Sequence, residues 1–148
     1  MNYLKHFTTV LSTLVFFLAF SALANDESFE ADSALAKSAA KKADELTQLV
    51  EAQFQIKLDY SEDSIEELDA IMDQIHGMFI QEQPGEASLI PMAQVFGSYV
   101  GEVYRRNHYA TWGWITQGTE VFPGLQQAKG GLFWPWAKAL DRLKTNSE

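Results

Sequence analysis

The spacing of apolar residues changes along this chain, and the change limits which folds it can adopt. Up to about residue 107 the apolar side chains recur every three or four residues, as on one face of a helix. Beyond residue 110 the chain is rich in aromatic residues and is punctuated by glycine, which is typical of short strands and turns. The sequence therefore predicts an α+β domain with N-terminal helices packed on a small antiparallel sheet and a short C-terminal helix.

Three long helices are predicted before the sheet, each with an apolar stripe and strong helix formers between the apolar positions. Ser61 can cap the second helix, and Pro84 with Gly85 ends it. The predicted helices cover 28–53, with a polar lead-in at 25–33, then 61–82 and 88–107. The first stripe is Leu35, Ala39, Ala43, Leu46 and Val50, and the second is Ile65, Leu68, Met72, Ile75 and Phe79.

Short strands are predicted where apolar and polar residues alternate or where aromatic runs lie between turns. A half-buried strand is expected at 54–60, between the first two helices. In the last third, strands are expected at 111–115, 120–122 and 131–134, with turns at 117–118, 123–124 and 130–131 and a final helix at 136–144.

The first 24 residues have the layout of a secretory signal peptide. Lys5 is the only charge before Asp26, an apolar stretch follows it, and the small residues Ala22 and Ala24 precede a polar sequence. An uncleaved anchor is the alternative, but the apolar run is short for a bilayer. We therefore divide the chain into a signal peptide (1–24), an N-terminal helical segment (25–54) and one domain (55–148). The protein is expected to be exported, to the periplasm where the host has an outer membrane and otherwise to the medium, with no membrane span after cleavage.

Charge and cysteine content restrict the function. The net charge of −9 repels phosphates, which excludes a sequence-independent nucleic-acid binder, and the absence of cysteine excludes disulfides and thiolate metal sites. Residues 25–104 carry 17 acidic and 4 basic side chains, whereas residues 105–148 carry 6 basic and 3 acidic ones. Either the two parts complement each other within one domain, or the acidic part faces a basic partner. The sequence does not indicate an oligomeric state.

The second predicted helix carries a stripe of acidic residues beside its apolar face. Like charges four residues apart destabilise a helix slightly, so the stripe is either a solvated face or a docking edge for a basic partner. Asp69, Asp73 and His76 have a spacing that could hold a cation, but an Asp–His hydrogen bond is the commoner outcome. Asp59 and Asp63 echo a calcium loop that lacks its glycine and its final glutamate. We predict no metal or cofactor, and the candidate partner-binding residues are Glu62, Glu66, Asp69 and Asp73.

A second candidate site combines a glutamate with the tryptophans of the predicted sheet. Gly97 and Gly101, four residues apart on a helix, indicate close packing against a neighbouring element. Glu102 either pairs with Arg106 or binds a ligand, and stacked indoles near it can grip a sugar ring, although four tryptophans more often fill a core. The candidate ligand-binding residues are Glu102, Arg105, Trp112 and Trp114.

Two motifs resemble an uncharacterised bacterial domain family. The first is LDYSEDSIEELD at 58–69, and the second is GSYVGEV at 97–103. A Trp, here Trp112 or Trp114, and a late Trp134-Pro135 before Lys138 complete the resemblance, which covers residues 55–142. It implies a small α+β domain without an assigned chemistry. Members with a similar pattern resemble immunity proteins of bacterial toxin systems.

Enzyme signatures are absent from the sequence: no nucleophile elbow, zinc-binding His-Glu-x-x-His, phosphate loop or dinucleotide fingerprint occurs. We therefore expect an exported protein-binding module, an inhibitor or immunity-type protein whose acidic helix meets a basic envelope protein. The alternative is a carbohydrate-binding or peptidoglycan-binding domain that uses its tryptophans. Salt should weaken the first kind of binding steeply and the second little.

Overall fold

The helices and strands come in the order that the change of periodicity predicts. A computed structural model describes residues 27–83 and 85–145, so the predicted signal peptide lies outside the described residues. The elements are β1 (Glu27–Ala31), α1 (Ser33–Phe54), α2 (Ser64–Glu82), α3 (Leu89–His108), β2 (Ala110–Gln117), β3 (Glu120–Gln127), β4 (Leu132–Phe133) and α4 (Pro135–Thr145), with a short 3₁₀ turn at Glu86–Ser88 before α3.

Helix α1 begins at a side-chain cap. Asp32 Oδ1 accepts hydrogen bonds from the backbone N–H groups of Ala34 at 2.7 Å and Leu35 at 3.0 Å. The buried residues of α1 are those that the spacing selected: Leu35, Ala39, Ala43, Leu46 and Val50. The polar lead-in expected before this helix is wrong, because residues 27–31 form β1 and pair with β2.

The strand predicted at 54–60 is also wrong. The connection between α1 and α2 is irregular, and Gln55 and Tyr60 have φ angles of 58° and 64°, which a strand does not accommodate. Local side-chain bonds hold it instead: Asp59 Oδ1 accepts from the Ser61 N–H at 2.9 Å, and Ser61 Oγ accepts from the Ser64 N–H at 3.2 Å. Short polar side chains that bond to nearby backbone compete with strand formation.

The four strands form one antiparallel sheet in the order β1-β2-β3-β4. The predicted turn at 117–118 is confirmed, since Gly118 lies between β2 and β3 with φ 61°. The predicted turn at 123–124 is wrong, because Pro123 and Gly124 lie within β3. The Gln127 N–H donates to Gly131 O, so the backbone nitrogen of Gln127 faces away from β2. Backbone orientation alternates along a strand, so the nitrogen of Pro123, four residues earlier in β3, also faces away from β2. Proline therefore costs no hydrogen bond in the β2–β3 ladder.

Helix α3 lies at the centre of the domain and contacts α1, α4 and the sheet. Leu46 and Val50 of α1, Leu68 and Ile71 of α2 and Leu143 of α4 join it in the larger core. A second core group, including Leu35, Trp112 and Leu125, fills the space between α1 and the sheet. None of the helices described for this chain is long and apolar enough to cross a membrane. The fold is thus α+β, with helices against one antiparallel sheet and a short C-terminal helix, as predicted.

Candidate functional site

The helix predicted from residue 61 begins at Ser64, so Glu62 lies in the connection before α2 and not on it. Of the three candidate residues on α2, Asp69 and Asp73 are engaged inside the domain. The guanidinium of Arg142, on α4, donates to Asp69 Oδ1 at 2.7 Å and Oδ2 at 3.0 Å, and to Asp73 Oδ1 at 2.5 Å. Arg142 is 9% exposed, and the hydrogen bond to Asp69, with help from Asp73, raises the pKa of its guanidinium above the usual value. These contacts fasten α2 to α4, as expected if the acidic and basic parts complement each other.

The other two residues of the stripe remain at the surface. Glu62 Oε1 lies 3.0 Å from His108 Nε2, and both side chains are exposed. The carboxylate of Glu66 makes no hydrogen bond or ion pair within the described residues. An exposed contact such as that between Glu62 and His108 contributes little to stability. Glu62 and Glu66 are therefore available to a partner, whereas Asp69 and Asp73 hold α4 in place.

An open groove lies beside this stripe, between α2, α4 and β4. Its main part is a cavity of about 340 Å³ whose lining is mostly apolar and includes Ile65, Leu68, Met72, Val100, Phe133 and Ala139. A smaller cavity of about 150 Å³ shares Ile65, Val100 and Phe133 with it and extends to Tyr104, His108 and Glu62. Because the two cavities share these three residues, we call them together the α2 groove, and two residues of the acidic stripe, Glu62 and Asp69, line it.

The glutamate of the second candidate site faces the interior. Glu102 is 1% exposed, and its carboxylate accepts hydrogen bonds at 2.9 Å from Arg105 Nε, Arg105 Nη2 and Trp112 Nε1. Burial alone would raise the pKa of Glu102, but the bonds from Arg105 and Trp112 outweigh it and hold the pKa below its usual value. The structure thus brings Glu102, Arg105 and Trp112 together as an ion pair with an indole donor. Trp112 is 1% exposed and packs in the core.

Trp114 lies on the same face of β2 as Trp112 but nearer the surface. It is 37% exposed, and its Nε1 donates to Asp32 Oδ2 at 2.7 Å. Together with the bonds from the α1 backbone, this hydrogen bond lowers the pKa of Asp32. Trp134 and Trp136 are both partly buried, and Trp136 Nε1 donates to Ser98 Oγ at 3.0 Å. Trp114 is therefore the exposed indole of the pair proposed to stack on a sugar.

The two resemblance motifs meet in space at Tyr99. The Tyr60 N–H donates to Tyr99 Oη at 2.9 Å, and Ser64 Oγ lies 2.6 Å from the same oxygen. Because Ser64 gives its proton to Ser61 O, at 2.6 Å, the Tyr99 hydroxyl donates to Ser64. The rings of Tyr60 and Tyr99 stack at 4.9 Å, and burial raises the pKa of both phenols. Apolar spacing does not indicate this contact, and the sequence analysis did not predict it.

The two glycines of the second motif are packing contacts, as predicted. A Cβ at Gly97 would lie 2.6 Å from Pro135 O, and a Cβ at Gly101 would overlap the ring of Trp112. Helix α3 therefore approaches α4 and β2 more closely than a larger residue would allow. Tyr60, Ser64, Tyr99, Gly97 and Gly101 therefore have structural roles in the packing of the domain. The α2 groove remains as the candidate functional site.

His76 takes a structural position. Its Nδ1 lies 2.8 Å from Leu143 O, so this nitrogen donates to the carbonyl and is not directed at Asp69 or Asp73. Residues 27–83 and 85–145 contain no group of three His, Asp or Glu placed to hold a metal ion. Both aspartates bond to Arg142 instead, which explains why the helical spacing of these three residues does not produce a metal site.

Comparison with known proteins supports the fold. A crystal structure of a protein from Bacteroides thetaiotaomicron VPI-5482, at 1.50 Å resolution, aligns with a TM-score of 0.59 and 12% identity. The alignment covers 82% of this chain and 43% of that one, so this chain spans less than half of that protein's length. No protein-family model and no curated protein matches the chain. The resemblance to an uncharacterised bacterial family stays a prediction.

Proposed function

We propose that this protein is an exported protein-binding module, of the inhibitor or immunity type, that meets a basic envelope partner through α2. The observation that supports this proposal is the α2 groove, an open, mostly apolar groove that Glu62 lines, with the unpaired carboxylate of Glu66 next to the lining residue Ile65 in the sequence. Acidic side chains at the edge steer a basic protein toward the surface, and an apolar floor retains it. Removing the predicted signal peptide leaves ten basic and twenty acidic side chains, a net charge of −10, which acts in the same direction.

The carbohydrate-binding alternative has less support. It needs flat indole faces open to a sugar, and Trp112 is in the core. Trp114 is accessible, but its N–H is already bonded to Asp32. One exposed indole supplies less stacking surface than the pair that the sequence suggested, so we place protein binding first.

A charge-reversal experiment tests the proposed function. We expect the double variant Glu62→Lys, Glu66→Lys to lose the basic envelope proteins that the mature protein captures, because the steering charge at the groove is inverted. The matched control is Glu51→Lys, Glu120→Lys, which makes the same charge change at exposed positions away from the groove. Captured proteins are quantified by mass spectrometry at about 50 mM and about 500 mM salt, since screening weakens surface electrostatics.

The aspartates are left unchanged in this experiment. Reversing Asp69 or Asp73 would replace a carboxylate beside the guanidinium of Arg142 with a cation and would loosen α4, so a binding loss would not be interpretable. If both double variants lose capture of envelope proteins equally, net charge alone explains the loss, and this result contradicts a docking site on α2. Unchanged capture in both variants, with loss in Trp114→Ala, would favour the carbohydrate-binding alternative.

A further inference from the structure

The shape of the α2 groove limits what can occupy it. Val100, which lines both cavities, and His108 lie eight residues apart on α3, a rise of about 12 Å, so the groove is at least this long. This length matches two turns of an added helix lying along the groove. The floor residues Ile65, Val100 and Phe133 are only half-buried, so apolar surface remains for a partner to cover.

Charged side chains line both sides of the groove. On the α2 side are Glu62 and Asp69, whose side chain stays 44% exposed while it pairs with Arg142, and Glu66 follows the lining residue Ile65. The α4 side carries Lys138, whose ammonium group has no partner within the described residues, together with Asp141 and the paired Arg142. An occupant with cations along one side and apolar residues below would complement this arrangement.

We propose that the α2 groove binds a short amphipathic helix of a basic partner, a proposal that rests on the proposed function. Apolar residues of the bound helix at i, i+3 or i+4, and i+7 lie on Ile65, Val100 and Phe133. Its Lys or Arg residues face Glu62 and Glu66. A second copy of this chain fits poorly, because it would bring one acidic α2 against another.

An added strand is the less suitable occupant. Strand β4, which borders the groove at Phe133, is two residues long and is followed by Pro135 at the start of α4. Strand addition needs a longer run of free backbone groups than this edge supplies. The helix-in-groove mode requires only an apolar floor and edges of suitable charge, both of which are present.

The test uses a synthetic probe on the mature protein. The probe is a fluorescent Leu/Lys peptide of about 14 residues with leucines on one helical face, compared with a scrambled peptide of identical composition that has no such face. We expect the amphipathic peptide to bind at least about tenfold more tightly than the scrambled one, measured by fluorescence anisotropy. Equal binding of the two peptides would overturn the proposal, since charge alone would explain it.

Two variants that add the same charge separate groove binding from general attraction. Val100→Glu places a carboxylate on the groove floor, and Met78→Glu places one on the exposed surface of α2, away from the groove lining. We expect Val100→Glu to weaken peptide binding about tenfold, because an apolar anchor would then cover a charge. Met78→Glu should bind as tightly as the unchanged protein or more tightly. Equal or tighter binding by Val100→Glu would overturn the groove proposal.

A neutral variant keeps the test valid if Val100→Glu does not fold. Ile65→Ala removes an apolar contact of the floor without changing the charge, and circular dichroism checks that the helices persist. We expect about threefold to tenfold weaker peptide binding, and unchanged binding by a folded Ile65→Ala would overturn the proposal. The proposed function is judged separately, by the capture of envelope proteins. If Glu62→Lys, Glu66→Lys loses this capture while Val100→Glu and Ile65→Ala bind the peptide normally, protein binding at α2 is retained and the helix-in-groove mode is rejected.

Discussion

At the residue scale, small residues and polar hydrogen bonds determine how closely the elements of this domain approach one another. Gly101 lets α3 lie against Trp112, and the carboxylate of Glu102, the next residue, holds the indole in place through Nε1. Because the indole is buried and bonded, it cannot move aside for a larger residue. The close packing and the buried hydrogen bond therefore depend on each other.

A glycine substitution tests this dependence. We expect Gly101→Ala to lower the free energy of unfolding by about 1–3 kcal/mol, because the new Cβ would overlap the fixed indole. The control is Gly77→Ala on α2, where nothing lies within 4 Å of an added Cβ. There the better helix propensity of alanine should raise stability by up to about 1 kcal/mol. Urea unfolding of both variants checks the prediction, and a Gly101→Ala protein more stable than its parent would contradict it.

At the element scale, periodicity predicted the helices well and the connections poorly. The five buried residues of α1 could be predicted from their spacing, because they all lie on one face of a single helix. The strand expected at 54–60 fails because Asp59 and Ser61 bond to the backbone of the turn, and Tyr60 adopts a positive φ angle. Strand β1 was missed because it is mostly exposed and forms only by pairing with β2, more than eighty residues away in the sequence.

The candidate site shows the same limit. Helical geometry placed Glu62, Glu66, Asp69 and Asp73 along one stripe, but it did not indicate which of them bind within the domain. That division depends on Arg142, which lies on α4 and reaches α2 only in the folded chain. Contacts between segments distant in the sequence thus determine two features: the pairing of β1 with β2 at the edge of the sheet, and which acidic residues stay unpaired by Arg142.

The Tyr99 hydroxyl provides a test at the level of elements, because it joins the α1–α2 connection to α3. We expect Tyr99→Phe to cost about 1–3 kcal/mol of stability, since the Tyr60 N–H and Ser64 Oγ would each lose a buried partner. The matched control is Tyr109→Phe, an 85% exposed side chain, which should change stability little. Thermal unfolding with circular dichroism measures both, and equal midpoints for the two variants would show that the junction is not important.

At the scale of the whole molecule, charge is only partly balanced within the fold. Arg142 pairs with Asp69 and Asp73, and Lys144 pairs with Glu86, so the basic C-terminal region does neutralise part of the acidic helices. Twenty acidic side chains nevertheless outnumber eleven basic ones. This acidic surplus is not neutralised by basic side chains of the chain itself, which is consistent with the proposed role of α2.

The last prediction concerns the form in which the molecule acts. We expect the mature protein to begin at Asn25, because Ala22 and Ala24 form a small-residue cleavage signal after the apolar stretch. Strand β1 begins at Glu27, so cleavage after Ala24 leaves every described element whole. Intact-mass spectrometry of protein from the envelope of its native host measures the N-terminus. A species that retains Met1 to Ala24 would indicate an anchor, and one that begins after Ala31 would lack β1 and leave the edge of β2 unpaired.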